Sequence, residues 1–106
     1  MSKLTNMYDK ELRAFTDAMQ YKLHVNRSKG KWEGMKLEDL FALLLKEVDE
    51  LKKEIYDSEP NQIAIQFEAA DIANFALMIA NVATRISTGE LNPDGSPADQ
   101  AVIKGV

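Results

Sequence analysis

From Asn61 to Ser87 the chain runs for 27 residues without a glycine or a proline, and seven of those residues are alanine. Apolar side chains fall around most of the circumference of a helix drawn through this stretch, and Gly89 supplies a stop just beyond it. At 1.5 Å per residue such a helix is about 40 Å long, more than the roughly 30 Å width of a small domain. A helix that is apolar nearly all the way round has to be packed on several sides. The remainder of a 106-residue chain is too short to cover it. The expectation is a homo-oligomer, a homodimer or homotetramer, in which copies of this helix complete a four-helix-type core.

Two further helices are expected from their periodicity. Leu4, Tyr8, Leu12, Phe15, Met19 and Leu23 recur at spacings of three and four, and so do Leu37, Leu40, Phe41, Leu44, Val48, Leu51 and Ile55. A segment with two glycines, from Arg27 to Gly34, separates them as a loop. Asp57-Ser58-Glu59-Pro60 reads as a turn, with Pro60 suited to the first position of the third helix. The fold class is therefore all-α: an antiparallel helical bundle with three main helices per chain. One domain is expected over residues 1–88, with a C-terminal turn and tail over residues 89–106.

Composition closes off much chemistry. With no cysteine there is no disulfide framework, thiolate metal site or thiol nucleophile, and the single histidine, His24, is too few for a zincin motif. No unbroken apolar run, Phe75 to Ala80 included, exceeds six residues, far short of a membrane span, and the N-terminus has no apolar signal region, so a cytoplasmic protein without membrane contact is expected. A net charge of −4 argues against nucleic-acid binding. The charge is unevenly placed: Lys22, Arg27, Lys29, Lys31 and Lys36 crowd a short stretch in which Glu33 is the one acid. A basic loop on an acidic body suits an anionic ligand that also carries metal cations.

The acids of interest come in pairs three residues apart, Glu47/Glu50 on the second helix and Glu68/Asp71 on the third. Residues at that spacing differ by about 60° around a helix, so each pair projects from one side. Ala64, Ile72, Phe75, Ile79, Val82 and Ile86 all lie within about 40° of the direction of Glu68. Two carboxylates thus sit in an apolar face, where an unanswered charge costs several kcal/mol. Four carboxylates converging without His or Cys make a hard, all-oxygen site that prefers Mg²⁺ or Mn²⁺.

These residues carry a resemblance. Glu47-x-x-Glu50 followed after 17 residues by Glu68-x-x-Asp71 resembles the signature of MazG-like all-α nucleotide pyrophosphohydrolases. Lys22-Leu-His-Val-Asn26-Arg-Ser-Lys29-Gly-Lys-Trp32 and Asp71-Ile-Ala-Asn74-Phe are similar to segments of short, often phage-encoded members, and the likeness spans about residues 15 to 85. Lys46 departs from the many members that have a third glutamate there. The resemblance implies Mg²⁺-dependent hydrolysis of a nucleoside triphosphate to the monophosphate and pyrophosphate, in nucleotide-pool sanitation or control. By position it implies Glu47, Glu50, Glu68 and Asp71 as metal ligands and Glu47 or Glu50 as the group that handles the attacking water. Lys22, Asn26, Lys29, Trp32 and Asn74 would contact the substrate. The alternatives are a catalytically silent helical dimerisation module, or a phosphohydrolase of another phosphoanhydride such as an alarmone.

Overall fold

A computed structural model describes residues 7–27, 32 and 34–98. Within them the chain is all-helical and forms three helices: α1 (Asp9–Val25), α2 (Leu37–Ile55) and α3 (Gln62–Ser87). The one β-type feature among them is an isolated bridge between Leu91 and Pro97.

The long helix is central. Both α1 and α2 pack on α3, and neither packs on the other. Leu40 near the start of α2 clusters with Val82 near the end of α3, while Glu47 meets Glu68 further back, so the two helices run antiparallel. The helix starts where Asn61 places its side-chain oxygen, which accepts from the amides of Ile63 and Ala64 at 3.0 and 3.1 Å. That capping puts Pro60 immediately before the N-cap, two residues ahead of the first helical position: Asn61 answers two orphan amides and proline can answer none. Of the apolar series expected on α1, Leu4 lies outside the described residues. Met19 and Leu23 are half-buried, whereas Tyr8, Leu12 and Phe15 are exposed, so α1 docks mainly through its C-terminal half.

Few apolar side chains are fully buried among the described residues: Leu40, Ala70, Val82 and Leu91. Leu91 lies beyond the helices. The chain after Gly89 folds back so that Leu91 packs with Leu40 and Val82, and the Gly34 amide donates to the Gly95 carbonyl at 2.8 Å. Gly95 has φ 87°, and a Cβ there would run into the Met35 carbonyl, so the return path depends on glycine. Residues 91–97 thereby close one end of the α2–α3 pair.

By length and composition α3 is also apolar enough to cross a membrane, with a mean hydropathy of 1.5 over its best window. The average passes where the longest unbroken run does not, because the isoleucines, phenylalanines, leucine and alanines outweigh the scattered polar residues. The core helix of a helical bundle has the same composition, but only 11% of this window is buried within the single chain.

Candidate metal and phosphate site

Antiparallel packing brings one side of α2 against one side of α3, and the expected carboxylates meet there. Glu47, Glu68 and Asp71 are half-buried, and each offers an oxygen within 4.8 Å of the others. Glu68 is the centre of the group. Burial is the main reason its carboxyl is pushed up from 4.5 to about 7. A side-chain hydrogen bond to Glu47 adds to this, followed by the negative charges of Glu47, Asp71 and Glu50. Two carboxyl groups can share a hydrogen bond only if one holds a proton, so a proton at this position relieves the crowding. Glu68 Oε2 is buried without a hydrogen-bond partner. Oxygens sharing one Mg²⁺ at about 2.1 Å lie roughly 3 to 4 Å apart, so a small closure of this triad fits a hard divalent cation. Glu50 stands outside the triad, half-buried and one turn along α2, near enough for its charge to act on Glu68.

Beside the carboxylates lies a cavity of about 340 Å³, to which all three helices and the α1–α2 connection contribute. Lys22 of α1 lines it, its Nζ 3.4 Å from Asp71 Oδ2 and 5.9 Å from the Phe67 ring centre. Asn26 sits at the C-terminal end of α1 and also faces this space, as does Asn74 of α3. Asn74 is 4% exposed: its Nδ2 donates to the Met19 carbonyl at 3.0 Å, which ties α3 to α1, and its Oδ1 has no partner. Trp32 forms part of the wall and is fixed by its Nε1, which donates to Asn81 Oδ1 at 3.0 Å. The tryptophan thus packs into the core cluster and lines the cavity at once.

Of the residues expected to meet substrate, Lys22, Asn26, Trp32 and Asn74 converge on this cavity. Lys29 lies outside the described residues. Arg27 is turned away onto His24, where its guanidinium donates to the His24 carbonyl at 3.1 Å. Two contributors had escaped sequence reasoning. Lys46 supplies a second ammonium-bearing side chain to the wall, although the motif marks it only as a departure. Asn81 positions Trp32 across 49 residues of sequence, a pairing that no local pattern signals.

Compared with family models, with curated proteins and with solved structures, the chain finds no match. The resemblance to MazG-like enzymes rests on the motif residues alone.

Proposed function

We propose that the protein is a Mg²⁺-dependent hydrolase that cleaves a nucleoside triphosphate to the monophosphate and pyrophosphate, in the manner of the MazG-like enzymes its motifs resemble. The observation that carries this reading is Glu68: a half-buried carboxyl with an orphan oxygen, crowded by Glu47 and Asp71 at the edge of a cavity that Lys22 and Lys46 also line. Glu47, Glu68 and Asp71 would hold the metal, with Glu50 completing the set. When bound, Mg²⁺ would neutralise charge on the phosphate oxygens and acidify a water. The side chains of this chain do the rest. Lys22 can exchange Asp71 for a phosphate oxygen without leaving the cavity. Asn74 Oδ1 offers an acceptor to an N–H or O–H donor of the ligand. Trp32 offers an apolar wall on which a base could lie. The unprotonated form of Glu47 or Glu50 could take a proton from the attacking water. A homodimer or homotetramer completes the core and leaves the cavities accessible.

A second reading is favoured by one contact. The Lys22–Asp71 pair is what a purely structural acid would have, and in a silent helical dimerisation module it would need no metal. A panel of canonical and modified nucleoside triphosphates with Mg²⁺ separates the two readings. Pyrophosphate release from at least one member, together with a Mg²⁺-dependent rise in Tm, is expected. Neither appearing would overturn the enzyme. Orthophosphate in place of pyrophosphate would move the activity to another phosphoanhydride.

A further inference from the structure

On α2, Phe41, Leu45, Val48 and Ile55 are between 41% and 54% exposed, although the opposite flank of the helix is packed on α3. At 100° per residue they fall within about 40° of one direction, roughly 100° from the buried Leu40. With Lys52 they step along the helix by four, three, four and three residues, the spacing of a coiled-coil seam. On α3 the exposed Ala76, Ala80 and Ala83 flank the same side, Ala80 lying about 180° from Asp71 around the helix. The two strips adjoin on the side of the helix pair away from the cavity. Tyr56, 79% exposed, and the exposed Lys52 extend them.

We infer that this face is the self-association surface, with α2 of one copy lying antiparallel along α2 of a second copy about a two-fold axis between Leu45 and Val48. Charge along the helix selects this occupant. The first turn of α2 carries Glu38 and Asp39 and the last carries Lys52 and Lys53, so an antiparallel pair sets each acidic end against a basic one and opposes the helix dipoles. With Leu45 across from the second copy's Val48, the ammonium of Lys52 falls over the second copy's Phe41 and within reach of its Glu38. One lysine in an otherwise apolar seam penalises shifted registers, which would strand it against leucine or valine. A lipid surface fits less well, because Glu38 and Asp49 border the stripe on a chain of net charge −4. The alanines of α3 admit close approach beneath the seam. This inference rests on the oligomeric part of the proposed function and is independent of the catalytic part.

Light scattering at micromolar concentration, with and without Leu45→Glu/Val48→Glu, tests it. The wild type should have at least twice the 11.9 kDa chain mass, and the variant half the wild-type mass with its helical circular dichroism retained. Should the charged variant lose its helicity, Leu45→Cys/Val48→Cys in this cysteine-free chain decides: oxidation should give a covalent dimer that dithiothreitol reverses, and its absence would overturn the inference. An unchanged mass in a folded charged variant would overturn the face alone. A wild type of one chain mass would sink the face and the oligomeric reading together, and a one-chain wild type that co-sediments with phospholipid vesicles would assign the face to lipid instead.

Discussion

Glu68 concentrates the competing demands on this molecule in a single side chain. The folded metal-free protein holds its proton up to about pH 7, whereas an unfolded chain releases it near 4.5. Between those values the folded state binds more protons than the unfolded state, so stability falls as pH rises from about 4.5 to 7 and levels off above. Chemical denaturation of metal-free protein across this range should show that decline, and Glu68→Gln should lack the part due to this group. At pH 8 the Gln variant is expected to be as stable as the wild type or more so, because a crowded carboxylate has gone. Its Mg²⁺-dependent rise in Tm and its pyrophosphate release should both collapse. A strongly destabilised Gln variant of a protein indifferent to Mg²⁺ would show instead that Glu68 serves the fold.

At the scale of elements, the end of the α2–α3 pair depends on a segment outside any helix. Leu91 is 3% exposed and packs with Leu40 and Val82, so Leu91→Ala should cost about 2–5 kcal/mol in urea denaturation while leaving helix content unchanged in the folded baseline. This role was not legible in the sequence. A lone leucine between Glu90 and Asn92 belongs to no helical period, and its burial comes from a return that the Gly34–Gly95 hydrogen bond and the positive φ of Gly95 make. The helices were legible because their apolar residues recur over several turns. So was the meeting of Glu47 with Glu68 and Asp71: pairs three apart on antiparallel neighbours have few other ways to face. What periodicity cannot supply is the crossing position, which is why Glu50 falls outside the triad that Glu47 joins. The same limit hid the part Lys46 plays in the cavity wall and the reach of Asn81 to Trp32.

For the whole molecule, a small set of buried side chains and a long exposed apolar face mean that stability should depend on association. Folding linked to assembly is driven by mass action, so Tm should rise by several degrees when protein concentration is raised a hundredfold. A Tm independent of concentration over that range, with the protein folded as single chains, would count against assembly. In the pairing inferred for α2 the cavities face away from one another, so each keeps its own opening to solvent and no cooperativity between them is required.

The chain's one tryptophan has a practical consequence. Trp32 stands in the cavity wall with its indole nitrogen tied to Asn81, so its emission reports that wall alone and no second fluorophore of its kind dilutes the signal. Titrating a nucleoside triphosphate into the protein with Ca²⁺ in place of Mg²⁺, to slow turnover, should quench that emission or shift its wavelength in a saturable way. Asn81→Ala should broaden and red-shift the unliganded spectrum by letting water reach the indole. An emission unmoved by any nucleotide would mean that ligands bypass this wall. The protein therefore carries its own optical probe, placed by the fold in the wall of the cavity.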